Sequence, residues 1–502
     1  MRGPYLEIQG HDARPVSTSR TWFRRRAGPL ALALGVLCAM VFSGIVFVYS
    51  TSIALPLVYF LAWVVSIVLL FFSRRDVLSP VGIGALVYIP SFLLCVPFYV
   101  AFLSLERGAP SSPDLALSVG LSLLALLGYS LGCVCRTREI FRPLFRAITS
   151  ARSALRPCTH GEFILLAVWV VVAGVTRIAF RLEVAGAESP LLPGRIAGVV
   201  GYMFHGGTLV LIGLFLYRSL SRGRIFILEG YVLASGLVLT QLLLGWKSAL
   251  LGVVQMTLVV FWYQAGPGGR RRSFFWVFVL IVLIPVTMMI GQEMRSTIIK
   301  GQEAAYAEGI SDFVLKVVTR LDGNSRFVAV LNYETRQGRL SLTNDFKFIS
   351  LIRLGITTTK YADVYVFGHP QVGAASSTGA SGPGGAYIGM GLCGIVLGYF
   401  LLGNLVGCVY HLMQSLWVRS LAIVLYGMMF SDMLQLFQGN LVLSLKFKQY
   451  IVYSGILILA KMFLRGRTKR EPVPLLGGHS PTCSLGLRAP GIQQGGPKDP
   501  ME

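Results

Sequence analysis

The sequence predicts an all-α, polytopic integral membrane protein of about twelve transmembrane helices with one large extracytoplasmic loop between the ninth and tenth. Three observations predict it. Hydrophobic residues fill 54% of the 502 positions and charged residues only 13%, about half the charged share of an ordinary soluble domain. Apolar runs of roughly 20 residues, long enough to cross a bilayer as helices, recur along almost the whole chain. Arginines and lysines gather in alternate loops between those runs, the bias that orients membrane helices. Barrel strands are excluded because the runs are too long and too continuous, and only helices or closed barrels satisfy their backbone in lipid. The formal charge of +23 is accounted for by the loop arginines, so nucleic acid is not an expected partner.

Residues 1–26 form a basic tail with Arg14, Arg20 and Arg24 to Arg26. The apolar run that follows shows no small-residue cleavage site, so it reads as an uncleaved signal anchor with a cytoplasmic N-terminus. Helices one to nine occupy 27–291, with spans near 28–49, 53–72, 78–103, 114–135, 160–180, 195–217, 226–245, 248–264 and 274–291. The loop follows at 292–384, and spans ten to twelve occupy 385–464, near 385–409, 418–438 and 448–464. Residues 465–502, rich in Pro and Gly, read as a disordered cytoplasmic tail. The loops holding Arg74 and Arg75, Arg136 to Arg156, Arg218 to Arg224, Arg270 to Arg272, Arg419, and Arg465 to Arg470 fall on one side. Both termini are therefore expected in the cytoplasm.

The loop at 292–384 opens with a polar helical pattern and continues into a stretch where apolar residues alternate with arginines. It ends in the Gly/Ser-rich run before the tenth span. A loop this long is functional, disordered or folded on its own, and its helical patterning predicts a folded lid over the membrane domain.

Several chemistries are excluded. No P-loop, dinucleotide fingerprint, H-E-x-x-H or clustered Cys/His set occurs, and the longest cytoplasmic connection is too short for a nucleotide-binding domain. The first outer turn, near Ser50 to Ser52, holds no acidic residue, and the outer segments show no acidic cluster with ligand spacing. No metal and no cofactor are expected. None of the eight cysteines lies in the long loop, so no disulfide framework is implied.

What remains is cations in unfavourable places. Arg195 opens the sixth span, Lys247 the eighth, and Lys446 and Lys448 precede the twelfth. Each faces the positive end of its helix dipole at a cost of about 0.3–1 kcal/mol, which a bound anion would reverse. Ser381-Gly382-Pro383-Gly384-Gly385 opens the tenth span. Pro suits a first helical turn, and Gly384 and Gly385 would let backbone N–H groups approach an anion. The loop contributes Arg295, Arg320, Arg326 and Arg353 among its basic residues, and arginine matches phosphate oxygens with two parallel bonds. Gly323-Asn324 interrupts helix geometry between Asp322 and Arg326. Ionisable residues within spans are costly and mark function. Arg177, His205 and Asp432 fall in the outer halves of their spans and could line one cavity. The alternatives are ordinary: cations anchoring helix ends at headgroups, loop ion pairs, and locally satisfied polar groups.

Gly245-Trp246-Lys247-Ser248, the Arg320 to Arg326 stretch and the Gly-rich entry from Gly384 to Gly403, set in a twelve-span layout, resemble the bacterial oligosaccharide repeat-unit polymerases of O-antigen (Wzy) type. The resemblance spans about 160–464 and rests on layout and loosely spaced residues; Lys247 stands where many relatives carry arginine. It implies a metal-independent glycosyltransferase of GT-C type in the bacterial inner membrane, acting on the periplasmic face. Donor and acceptor would be undecaprenyl-pyrophosphate-linked oligosaccharides, with a chain-length regulator and a flippase as further partners. Implied catalytic residues are Arg320, Arg326, Asp322, Asp432 and His205. Lys247, Arg295, Arg353, Arg195, Arg177, Gly384 and Gly385 would hold pyrophosphate or glycan. An O-antigen ligase, or a non-enzymatic flippase of the lipid-linked repeat, fits the same features.

The topology is tested by impermeant thiol labelling from the periplasmic side. A cysteine at Ser341 should react and one at Ser150 should not; the reverse pattern would invert the orientation.

Overall fold

In lipid a backbone group has no water to turn to, so each apolar run must close its own hydrogen bonds. The computed structural model shows how this chain does so. It describes residues 19–73, 76–103, 110–135, 158–180, 200, 203–222, 224–243, 247–264, 322–337, 381–413, 419–434, 436–437 and 450–459. Every regular element among them is helical. The expected span at 274–291, the tail at 465–502 and most of the loop at 292–384 lie outside the described residues.

Helix α1 (Ser19–Tyr49) begins earlier than the apolar run, because straight-chain arginines continue a helix readily. Helix α2 covers Ala54–Phe72. Helix α3 (Pro80–Tyr88) starts on Ser79, whose hydroxyl accepts the Gly82 N–H, with Pro80 at the first position. The run expected to continue smoothly to residue 103 is instead broken. Pro90 and Pro97 lack N–H groups, and the path passes through a π-turn (Ile89–Leu93), a short helix α4 (Val96–Phe98) and a second π-turn (Tyr99–Leu103). Helix α5 is Ser112–Val134, and α6, His160–Ala179, opens on a Thr159–Glu162 capping box. Then follow α7 (Thr208–Arg222) behind a π-turn (Met203–Gly207), α8 (Arg224–Leu243) and α9 (Lys247–Gln264). Beyond them come α10 (Asn324–Gln337), α11 (Gly382–Cys393), α12 (Tyr399–Leu412), α13 (Arg419–Leu434) and α14 (Tyr450–Leu459).

Among the described residues, five helical paths are long and apolar enough to cross a membrane: Ala54–Phe72, Pro80–Ala101, Ser112–Val134, His160–Ala179 and Gly391–Leu412. Gly35–Tyr49, Thr208–Leu220, Ile225–Thr240 and Tyr450–Leu459 are shorter apolar helices. Exposure follows the pattern of a lipid-facing bundle. Phe72 is 76% exposed and Leu165 70%, whereas Ser66, Ser118 and Asn404 are fully buried. Such apolar surface would drive aggregation in water. The chain is a helical membrane protein.

The bundle's centre is the seam between α5 and α12, which run parallel. Gly128 and Gly132 on α5 face the Val396 to Asn404 backbone, and Gly403 and Gly407 on α12 face the Tyr129 and Cys133 backbone. Small residues four apart let helix backbones approach closely in a membrane. Asn404 locks the seam by donating from Nδ2 to the Cys135 carbonyl at 3.1 Å and the Gly132 carbonyl at 3.4 Å. Around it, α2, α3 and α13 pack on α5, α12 or both, while α6 to α9 pack in sequence beside them. Across α6, α7 and α8, buried Arg218 pairs with Glu162 at 3.0 Å, and His160 bonds Glu229.

A methyl group on Gly132 or Gly403 would overlap carbonyl oxygens of the facing helix. Gly132→Ala should therefore destabilise the bundle by about 1–3 kcal/mol. Gly120→Ala meets only Val58 at 3.6 Å and should stay within about 0.5 kcal/mol. Thermal unfolding of the detergent-solubilised protein measures both.

Candidate functional site

The irregular path of the third span takes hydrogen bonds from outside its own helix. Leu93 O would normally accept from residue 97, which is proline; the Tyr59 hydroxyl donates to it at 2.9 Å. Ser91 O accepts the Gly323 N–H at 2.8 Å, and Phe92 O accepts Asn324 Nδ2 at 2.8 Å. The Asn324 side chain also accepts from Ser118 of α5 at 3.0 Å. Residues 322–324, which lead into α10, are thus rooted in the helical bundle. Gly323 is required for this approach, since a Cβ there would lie 2.7 Å from the Phe92 ring. The Phe92 ring stacks on Tyr88, and both meet Phe437 edge-on, which stiffens the receiving surface.

Asp322 completes the root. It is 1% exposed. One carboxylate oxygen accepts the Asn324 N–H at 3.0 Å; the other accepts the Ser325 N–H at 3.2 Å and the Tyr99 hydroxyl at 2.5 Å. These bonds cap α10, with the carboxylate placed favourably at the helix's positive end. Arg326 follows in the first turn of α10, half-buried. Asp322 therefore acts as a cap within the protein rather than as an i,i+4 partner along a continuous helix.

Helix α10 lies against α5 and α11, burying Phe327, Val328, Val330 and Leu331. The Phe327 and Tyr387 rings meet at 6.0 Å, and Gly384 sits against Phe327 and Val330. The opening turn of α11 is internally bonded. Gly384 N–H donates to Ser381 Oγ at 3.1 Å, Gly385 N–H to Ser381 O at 2.9 Å, and Gly382 N–H to Phe437 O at 3.3 Å. The Gly384 and Gly385 N–H groups, expected to face an anion, are bonded by Ser381, which is held at the unusual φ of +59°.

A second grouping joins the remaining intramembrane candidates. Asp432, near the end of α13, is half-buried and stands close to Tyr450 at the start of α14. One turn further, the Tyr453 ring packs directly on Gly206, beside His205 in the π-turn before α7. Helix α14 thus brings the Asp432 and His205 segments together. Arg177 is 2% exposed in the last turn of α6, so it is buried in the bundle rather than extended toward headgroups. Lys247 opens α9 as expected. Arg195, Arg295, Arg320 and Arg353 lie outside the described residues.

The chain matches no protein-family model, no curated protein and no solved structure.

Tyr99, Ser118 and Tyr450 were not among the sequence-derived candidates. Tyr99 and Ser118 donate to the side chains of Asp322 and Asn324, partners more than 200 positions away that no local pattern announces. Tyr450 carried no signal either.

Asn324→Ala strands the Phe92 carbonyl and the Ser118 hydroxyl, at a cost of about 1–3 kcal/mol. Tryptic cleavage at Arg326 in the purified protein should accelerate in this variant, because α10 leaves its seat. Unchanged cleavage would show that the root does not hold the helix.

Proposed function

We propose that this protein polymerises lipid-linked oligosaccharide repeat units on the periplasmic face of a bacterial inner membrane, as a metal-independent glycosyltransferase of GT-C type. The full layout of this reading is twelve spans, both termini in the cytoplasm and the 292–384 loop outside. The observation that carries it is the rooting of α10. A loop segment bearing Arg326 is built into the end of the bundle by buried hydrogen bonds, which fixes a cation beside the membrane domain. A transferase that expels a pyrophosphate needs such a fixed cation, because preorganised charge acts where charge develops. A flippase, which must move its charges between faces, gains nothing from it.

In this mechanism the acceptor sugar hydroxyl attacks the donor's anomeric carbon, the bond to undecaprenyl pyrophosphate breaks, and the leaving oxygen takes the bonding pair. Arg326, with Arg320 and Lys247, stabilises that leaving charge, with Arg295 and Arg353 behind them. Asp322 holds Arg326's helix in place and serves as a positioning residue. The general base then falls to the Asp432–His205 grouping, where a carboxylate or imidazole can take the hydroxyl proton.

Arg326→Ala should lower polymer formation by about 10²–10³-fold. Arg326→Lys, which keeps charge but not the two-pronged bond, should still lose most polymer. Arg336→Ala and Arg339→Ala should leave it unchanged. Glycan length distributions, read beside membrane protein levels and repeated in excess chelator, measure this. Wild-type ladders from Arg320→Ala and Arg326→Ala at normal expression would move the site to Arg177, His205 and Asp432. In a deletion strain, single-repeat product indicates a polymerase, free lipid-linked polymer a ligase, and no exported product a flippase.

A further inference from the structure

At the end of the bundle opposite to the α10 root, Asp76 precedes α3 and collects three aromatic donors. Trp262 Nε1 reaches Oδ1 at 3.0 Å; the Tyr263 and Tyr410 hydroxyls reach Oδ2 at 2.9 and 2.6 Å. The donors are neutral. The one cation in this network among the described residues, Arg419, donates to the Tyr263 carbonyl at 2.7 Å instead of to the carboxylate. Among the described residues Asp76 has no cationic partner, although a carboxylate has about four acceptor positions.

Asp76 lies at the mouth of a cavity of about 560 Å³ between α2, α3, α5 and α12. Its walls are apolar and open sideways: Phe72, Leu131 and Val134 line it and are 76%, 58% and 66% exposed. Ser130, one turn inside the end of α5, also lines it. Ser130 is 5% exposed, and its hydroxyl has no hydrogen-bond partner.

We propose that this groove binds one phospholipid with a primary-ammonium head group, of the phosphatidylethanolamine class. The ammonium meets the Asp76 carboxylate. Ser130 lies about 5 Å deeper along the helix, the level of the glycerol esters, and donates to an ester carbonyl. One acyl chain lies along Leu127, Leu131 and Val134, continuous with the surrounding lipid. Asp76 sets the head-group preference: its carboxylate attracts an ammonium, which an anionic lipid without an amine does not offer. This assignment is independent of the proposed polymerase activity and of which face of the membrane this end occupies.

Native mass spectrometry of the full-length protein, delipidated and re-titrated with synthetic phosphatidylethanolamine or phosphatidylglycerol, tests it. Phosphatidylethanolamine should be retained in preference. Asp76→Asn, which keeps an acceptor for the tyrosines, should weaken its retention roughly tenfold. Val134→Trp, an exposed change that fills the groove without touching Asp76, should weaken it comparably, and its unfolding temperature should match wild type. Equal or stronger retention of phosphatidylglycerol overturns the head-group assignment. Phosphatidylethanolamine retention unaffected by Val134→Trp overturns the groove, and competition by free ethanolamine alone at equal concentration reduces the site to a small-amine pocket.

Discussion

Everything at the candidate site depends on one constraint: a carbonyl oxygen freed inside a membrane must find a donor from the protein itself. Pro97 creates that need at Leu93, which Tyr59 meets, and the neighbouring Ser91 and Phe92 carbonyls take Gly323 and Asn324 as donors. The donors come from another apolar helix and from residues 323 and 324, so the irregular third span determines where α10 begins. Asp322 then caps α10 at that place. A defect in one helix has become the socket for another. The aromatic stack of Tyr88, Phe92 and Phe437 keeps the socket from collapsing.

The helical membrane character was legible because it rests on a repeated signal, apolar length, that no local detail overrides. The π-turns were less legible. Prolines at 90 and 97 announce a disturbance, but whether a helix bends, breaks or widens depends on neighbours such as Tyr59 and Ser91 that only packing supplies. The Asp322 to Arg326 stretch was singled out correctly as a break in helix geometry. Its role as a buried root was not visible, since a D-G-N turn reads the same in water as in a protein interior. Gly384 and Gly385 show the converse. Their freedom suggested room for a ligand, whereas the space is taken by Ser381 and by the side chains of α10. The setting of Asp76 was not legible, because its partners Trp262, Tyr263 and Tyr410 are far away in sequence.

The two ends of the bundle are built on opposite principles. At the α10 root, polar groups are buried and mutually satisfied, and they hold an element in place. At the Asp76 end, polar groups gather around a charge at the edge of an open apolar groove. Buried networks of the first kind specify one geometry and are costly to disturb. Arrangements of the second kind leave binding capacity over.

The seam between α5 and α12 has a consequence for biogenesis. Its locking bond joins residues 272 positions apart, so α5 enters the bilayer long before its mate has been synthesised. During that interval the glycine face of α5 has only lipid or temporary neighbours against it. Membrane helices insert first and associate afterwards, which makes closure of this seam a late step in assembly. Until α12 arrives, the small-residue face of α5 stays uncovered, and its burial marks the finished fold.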